Sequence, residues 1–352
     1  MDILEFLEKN KQIIDNVMKK HLPEKFDSEY IEWAFGKPKY AFDTESLTKS
    51  LAEPCWDLLN RGGKRWRPGL LLLVTDILKG DRETAKEIAG MIELIHNGTL
   101  LVDDVEDLGK MRRGKPCIHI LYGQDVAINA GNFLYFIPLL ILIKNKERLG
   151  KDKLVKLYEI YAEEMINLSL GQAMDIWWHK GGKQEITEEE YFQMCSCKTG
   201  TLARMSTRMA AVISDRQDLE EKLARLAESI GIGFQIQDDV LSVTGEEFSK
   251  KKGFGDDITE GKRSLMVIYA LRHASPEQKK RLLEILGMHT TNKELIQEAI
   301  HILKSAGAVE YAKKKAREIV RDAWENIDGD LPDCEPKDIL RNFINFLIER
   351  KI

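Results

Sequence analysis

From Thr44 onward the chain repeats one arrangement: long segments with apolar residues at helical spacing, separated by short breakers rich in Gly, Pro and charge. The breakers include "RGGKRWRP" (61–68), "RRGKP" (112–116), "HKGGKQEIT" (179–187) and "KKGFGDD" (251–257). No run of alternating β-branched residues bounded by hairpin signals interrupts the series. Helix formers dominate and only nine prolines occur in 352 residues, so the pattern predicts an all-α chain of ten or more helices. Residues 1–22 read as an amphipathic helix, with Ile3, Leu4, Leu7, Ile13, Ile14, Val17 and Met18 at helical spacing. Residues 23–45, with Pro23, Gly36 and Pro38, read as an irregular surface segment. The expected organisation is an N-terminal helix and irregular segment over 1–45, packed on a single domain over 46–352.

Composition removes several function classes. Apolar residues at 43% and charged residues at 32% describe a soluble globular chain. A net charge of −5 leaves no basic footprint for nucleic acid. Five scattered cysteines suit a reducing compartment, and Cys195 and Cys197, one residue apart with no His pair, do not make a zinc knuckle. The first residues lack a basic stretch followed by an apolar one, so no secretory signal is expected. The longest apolar run, 133–143, is short for a bilayer and contains Pro138, which predicts a buried helix and no transmembrane segment. The chain reads as cytoplasmic.

Chemistry enters with "LLVDDVEDLGKMRRGKP" (100–116). On a helix Asp103 and Asp107 share a face, with Asp104 about 100° around. Like charges at that spacing repel by ~0.2–0.5 kcal/mol, so a cation belongs between them. Oxygen ligands without His or Cys favour a hard ion such as Mg²⁺, and Mg²⁺ prefers a few carboxylates plus phosphate oxygens or waters. A diphosphate substrate follows, although a solvated acidic helix end fits the same letters. Arg112 and Arg113, at a Gly/Pro-marked turn five and six residues beyond Asp107, suit bidentate phosphate binding. In "GFQIQDDVL" (233–241) Asp238 and Asp239 sit in an otherwise apolar helix, where unpaired carboxylates are costly to bury and so should face a cavity and a metal. The loop "RGGKRWRP" adds Lys64, Arg65 and Arg67 beside two glycines but is no P-loop. His96 lies seven residues before Asp103, two turns away on the same face.

In order along the chain, "GGKRWRP", "IELIHNGTLLVDDVED", "RRGKP", "GQAMDIWW", "KTGTL", "GFQIQDDVL" and "GDDITEGKRSL" resemble the motif series of trans-isoprenyl diphosphate synthases, the polyprenyl synthetase family. The likeness runs from about Gly62 to Ser264 and is nearest to geranylgeranyl diphosphate synthases. It implies the isoprenoid synthase fold, a bundle of antiparallel helices around a deep central cavity, usually as a homodimer. It implies Mg²⁺, or Mn²⁺ in its place, held by Asp103 and Asp107 with Asp104 supporting, and by Asp238 with Asp239 beside it. Lys64, Arg67, His96 and Arg113 match the isopentenyl diphosphate site. Arg112, Lys198 and Lys252 match the site for an allylic diphosphate of C5 to C15, with Lys262 near it; Thr199 and Gln235 match polar groups beside the reacting carbons.

One departure matters. The second acidic motif reads "DDVLSVTGEE", with Ser242 where the family's last Asp stands. That change creates the D-D-x-x-S-x-x-x-E pattern of class I terpene cyclases, in which Asp238, Ser242 and Glu246 would bind Mg²⁺. A cyclase takes one diphosphate and has no use for the second basic set, so the synthase reading is preferred; a non-catalytic subunit of a heteromeric synthase is disfavoured by the intact first motif. One turn before Asp103 stand Gly98 and Thr99, positions where the family resemblance implies that bulky aromatics stop a growing chain. Mid-helix Gly98 fits either room for an isoprenoid tail or close helix packing; read as room for a tail, it predicts products of C20, geranylgeranyl, or longer.

Overall fold

The computed structural model describes residues 3–244 and 255–349. Helices follow one another almost without interruption: α1 (Ile3–His21), α2 (Ser28–Phe35), α3 (Thr44–Leu47), α4 (Glu53–Asn60), α5 (Trp66–Ile77) and α6 (Arg82–Glu106). A two-stranded antiparallel ladder, β1 (Met111–Arg112) and β2 (Lys115–Pro116), leads to α7 (Ile118–Tyr122), α8 (Gln124–Phe136), α9 (Leu139–Lys144) and α10 (Lys146–His179). Then come α11 (Glu188–Cys195), α12 (Thr201–Ile213), α13 (Glu220–Thr244), α14 (Asp256–Thr259), α15 (Leu265–His273), α16 (Pro276–Gly287), α17 (Lys293–Ser305), α18 (Ala308–Glu325) and α19 (Glu335–Glu349). The all-α expectation holds; among the described residues the hairpin at the "RRGKP" turn is the only β-structure.

Packing divides the chain into two compact units. The first comprises residues 1–160, 205–220 and 332–340; the second comprises 161–204, 221–331 and 341–352. In the first, α6 is the central element. Asp81 caps it by accepting from the Glu83 and Thr84 amides, and Ile88, Met91, Ile92, Leu94 and Ile95 are buried. α1 crosses it closely at Gly90, where a Cβ would lie 2.4 Å from Val17 Cγ1. Lys20 and His21 pin the same helix to Glu87 at 2.7 and 2.8 Å. α8 crosses α6 at two further glycines, taken up below.

Residues 23–45 are more ordered than the breakers predict. Asp27 accepts from the Tyr30 amide at 2.8 Å, Gly36 ends the helix at φ 82°, and α2 forms between them with Tyr30, Ile31 and Ala34 buried. Gln124–Lys144 is also longer than the apolar run read from sequence. It spans 21 residues, enough by length and composition to cross a membrane, but is half buried and breaks into α8 and α9 at Ile137–Pro138.

The second unit packs α11, α13 and α15–α18 around a core that includes Tyr191, Ile236, Val240, Leu265, Leu282 and Leu303. Its helices start at the caps their sequences announce. Ser264 opens α15, and Ser275 with Gln278 forms a capping box ahead of Pro276 on α16.

Candidate active site

In the first unit the basic residues converge through backbone geometry. Gly62 and Gly63 take φ of 90° and 142°, and Arg65 is left-handed at 51°, so the chain turns sharply from α4 into α5. Lys64 is left exposed, whereas Arg65 and Arg67 are buried. A Cβ on Gly63 would lie 3.2 Å from Arg113 Nη2 and 3.3 Å from Arg65 Nη1, so glycine is what lets the two guanidiniums approach. Arg113 donates to Leu58 O and Asn97 Oδ1, both at 3.2 Å. Arg67 Nη1 lies 3.4 Å from His96 Nε2, and its guanidinium stacks on Trp66 at 4.3 Å. Burial, reinforced by Arg67 and Arg113, drives His96 well below its ordinary range, so the imidazole is neutral and free to donate from one nitrogen. Burial likewise pushes Arg113 down to about 10, against the pull of Glu93 and helped by Arg65, Arg112 and Arg61. A cluster of guanidiniums this desolvated favours an anionic ligand.

One buried carboxylate holds the cluster together. Glu93, 2% exposed, accepts from Arg65 Nη1 at 2.6 Å and Asn97 Nδ2 at 2.8 Å. Arg61 fastens the hairpin from behind, donating to Arg112 O at 3.1 Å and Pro116 O at 2.8 Å while paired with Asp57 at 2.9 Å.

The acidic end of α6 follows immediately. Asp107 is the C-cap residue and donates its amide to Asp103 O at 2.9 Å. Carboxylates at a helix C-terminus meet the negative end of the dipole, which again calls for a cation. Asp103 is half-buried, whereas Asp104 is 2% exposed and bound by Arg112, whose Nε lies 2.8 Å from Oδ1 and whose Nη2 closes the fork. Arg112 Nη2 also lies 3.5 Å from Asp103 Oδ2. Burial opposes the Arg112 charge, but Asp104 and Asp103 outweigh it and raise its pKa. Arg112 thus pairs with both carboxylates of the acidic motif.

The second unit repeats the pattern. Asp238 on α13 is half-buried, while Asp239 is 6% exposed and has both oxygens occupied: Tyr191 OH donates to Oδ2 and Gln235 Nε2 to Oδ1, each at 2.8 Å. Burial, with the Asp257 charge, pushes Asp239 up to about 8. Adjacent helical residues point about 100° apart, so one Asp of each pair turns outward and the other inward. Asp239 therefore anchors Tyr191 and Gln235. Gln235 Oε1 accepts from Thr199 Oγ1 at 2.8 Å, and Lys198 Nζ reaches Asp175 Oδ2 at 2.6 Å. Lys262 lies 2.5 Å from Glu260 and 3.7 Å from Asp257. Ser242 is buried and donates to Asp239 O at 2.7 Å, so its hydroxyl proton is spent within the helix. Lys252 and Glu246 lie outside the described residues.

The residues that would hold a divalent metal supply oxygen donors alone, with the half-buried Asp103 and Asp238 outermost and Asp104 Oδ2 buried without a hydrogen-bond partner. Among the described residues no three His, Cys, Asp or Glu side chains converge into a ready-made cage. The oxygen-only donor set fits an ion that binds through one or two carboxylates and completes its shell with phosphate and water.

The Polyprenyl synthetase family model matches residues 48–303. The chain is 36% identical over 296 residues to a short chain isoprenyl diphosphate synthase of Methanothermobacter thermautotrophicus, covering 84% of this chain and 88% of that one. It is 33% identical over 309 residues to a geranylgeranyl diphosphate synthase of Saccharolobus solfataricus, covering 87% and 92%. The fold superposes on the crystal structure of geranylgeranyl pyrophosphate synthetase from Pyrococcus horikoshii with a TM-score of 0.85 at 30% identity, over 99% of this chain and 98% of that one.

The chain belongs to the polyprenyl synthetase family. This polyprenyl synthetase is a prenyltransferase of isoprenoid biosynthesis with the all-α isoprenoid synthase fold, and the diphosphate chemistry of its family implies a divalent metal.

Gly98 lies at a close crossing of two helices. A Cβ there would lie 2.8 Å from Leu134 Cβ and 3.0 Å from Gly131 O, and a Cβ on Gly131 would meet Val102 Cγ2 at 2.6 Å. The two glycines let α6 and α8 cross closely. Thr99 is half-buried, with its hydroxyl tied to His96 O at 2.7 Å. Sequence reasoning missed Arg61, Glu93, Asn97, Asp175 and Tyr191 as functional supports. The available signal was a carboxylate or amide inside an otherwise apolar helical run, as in "MIELIHN" and "GQAMDIWW".

Proposed function

We propose that the protein condenses isopentenyl diphosphate with an allylic diphosphate of C5 to C15, head to tail, giving an all-trans polyprenyl diphosphate of C20 or longer. One observation carries this reading: α6 alone bears two stations of opposite chemistry. His96 lies among the Arg67 and Arg113 guanidiniums, and Asp103 stands seven residues, or ~10 Å, further along the axis. A station of cations binds a diphosphate directly; a station of carboxylates binds one through a metal. Two stations mean two diphosphates, which a cyclase does not need. Geranylgeranyl and short-chain isoprenyl synthases among the relatives support the product class.

In this reading Lys64, Arg67, His96 and Arg113 hold isopentenyl diphosphate, with neutral His96 donating a hydrogen bond rather than a charge. Asp103 and Asp107 would hold Mg²⁺, as would Asp238. The metal, when bound, neutralises charge building on the departing diphosphate. Lys198, Lys252 and Lys262 steady the same leaving group, so that the allylic C–O bond ionises. Thr199 and Gln235 place fixed dipoles near the developing cation, and the isopentenyl double bond attacks allylic C1 to form the new C–C bond before the resulting cation loses a proton to the released diphosphate. Residues 46–352 act as the catalytic domain, with 1–45 as an N-terminal addition. The four buried cysteines and free Cys334 suit a reducing cytoplasm, and a homodimer is the assembly the family resemblance supports.

The test is purified protein with Mg²⁺ and either one diphosphate or two. Incorporation of isopentenyl carbon into a longer diphosphate supports the proposal. A cyclic hydrocarbon from a single diphosphate would establish the cyclase, and no turnover would establish a non-catalytic subunit.

A further inference from the structure

Between α11 and α12 the helix does not run on regularly: Ser196–Gly200 forms a π-turn, and this turn carries Lys198 and Thr199. π-turns are rare, open the regular backbone ladder and recur at functional sites. Here side chains supply donors to it. Arg204 Nη1 donates to Ser196 O at 2.8 Å and Ser196 Oγ at 3.0 Å, while Thr201 Oγ1 donates to Cys197 O at 2.5 Å. Arg204 is itself buried and aimed by Glu164, 1% exposed, with Nη2 to Oε2 at 2.8 Å and Nε between both carboxyl oxygens at 3.1 and 3.2 Å. Glu228 adds a third carboxyl contact at 3.1 Å.

Two glycines press the turn from neighbouring helices. A Cβ on Gly171 of α10 would lie 2.4 Å from Lys198 N and 2.7 Å from Cys197 C; one on Gly231 of α13 would lie 2.5 Å from Gly200 Cα. Both obstacles are backbone, so the turn is wedged and has no room to relax. Beyond it, Lys198 Nζ meets Asp175 at 2.6 Å and Thr199 Oγ1 meets Gln235 at 2.8 Å.

We infer that Arg204 and Thr201 are positioning residues that fix the π-turn, and through it the placement of Lys198 and Thr199 against the allylic diphosphate. The inference rests on the synthase reading above for the identity of that ligand. Neither residue needs to touch substrate: the guanidinium of Arg204 is filled by Glu164, Glu228, Ser196 and Thr201. A buried ion pair is replaced more safely as a pair than broken, so the probe is the double variant Arg204→Met/Glu164→Met. Thr201→Val, which removes one hydroxyl at nearly constant shape, is the second probe should the first fail to fold.

Folding is checked by circular dichroism, and KM and kcat are measured for farnesyl diphosphate and isopentenyl diphosphate separately. The expected result is at least a tenfold loss of kcat/KM for the allylic substrate in the double variant and about threefold in Thr201→Val, with KM for isopentenyl diphosphate within twofold of wild type. Binding of farnesyl thiodiphosphate, expected to weaken about tenfold in the double variant, is then compared in a Lys198→Met background, where that loss should shrink below twofold because the positioned ammonium that meets the diphosphate is gone. Equal losses for both substrates, or a full loss persisting in Lys198→Met, would overturn the inference and reduce these residues to general stability. Absence of chain extension by the wild type would instead sink the synthase reading, so the two failures are distinct.

Discussion

Glu93→Gln removes one negative charge from the middle of the arginine cluster while keeping the side chain's shape. Arg65, 3% exposed at the side chain, loses its charged partner at 2.6 Å and retains Asp15 at 3.3 Å, itself one-quarter exposed, and the neutral Leu59 carbonyl at 3.2 Å. Breaking a buried pair costs ~3–5 kcal/mol. Because glutamine still offers an oxygen to Arg65 and Asn97, the lower end applies, about 3 kcal/mol. At ~2–4 °C per kcal/mol the melting temperature should fall by roughly 6–12 °C. The assay is thermal unfolding of wild type and variant, each with and without inorganic pyrophosphate. The cluster then carries an uncompensated charge that a bound anion can replace, so pyrophosphate should raise the variant's melting temperature more than the wild type's. A fall below 2 °C would mean that the pair is not desolvated. A large fall that pyrophosphate does not relieve would mean that Arg65, Arg67 and Arg113 do not form an anion site.

Three further outcomes follow from the geometry. Asp103→Asn and Asp238→Asn, the outward members of their pairs, should each lower kcat by ~10²–10³, whereas Asp239→Asn, an uncharged match for a buried carboxyl already pushed up to about 8, should lose at most tenfold; steady-state kinetics with both substrates decide it. Gly98→Ala should lower the melting temperature without changing product length, because its Cβ meets Leu134 and Gly131; Thr99→Phe, four residues before Asp103, should shorten the product, as chromatography of dephosphorylated prenols will show. Glu87 is held down to about 2, chiefly by the His21 hydrogen bond, against burial and with help from Lys20, so its grip on α1 is fully present above pH 4.5 and is lost as pH falls through about 2. Glu87→Gln should abolish that acid-labile step in protection of α1 amides from hydrogen exchange.

The helices and the two acidic pairs were legible because helical periodicity and carboxylates in apolar surroundings are local signals. Which Asp of each pair faces outward was not, since Asp238 and Asp239 differ only by 100° of rotation and the deciding partners, Tyr191 and Gln235, are fixed by packing. Gly98 shows the same limit. A helical glycine signals that something comes close, and only the crossing of α8 at Gly131 says what. α2 was hidden because its two turns depend on a cap at Asp27 rather than on a long apolar stripe. The π-turn at 196–200 left no mark of its own in "CSCKTGTLAR", and only the placement of Glu164 beside Arg204 shows what holds it.

The central claim is that two diphosphates are joined and that the product passes C15. The most direct measurement is mass spectrometry of the products formed from farnesyl diphosphate, isopentenyl diphosphate and Mg²⁺ by the purified protein. The account predicts a C20 or longer diphosphate, with one pyrophosphate released per isopentenyl unit consumed. Farnesyl diphosphate left unextended while a C10 primer is carried to C15, or farnesyl diphosphate turned over with no isopentenyl carbon in the product, would contradict it.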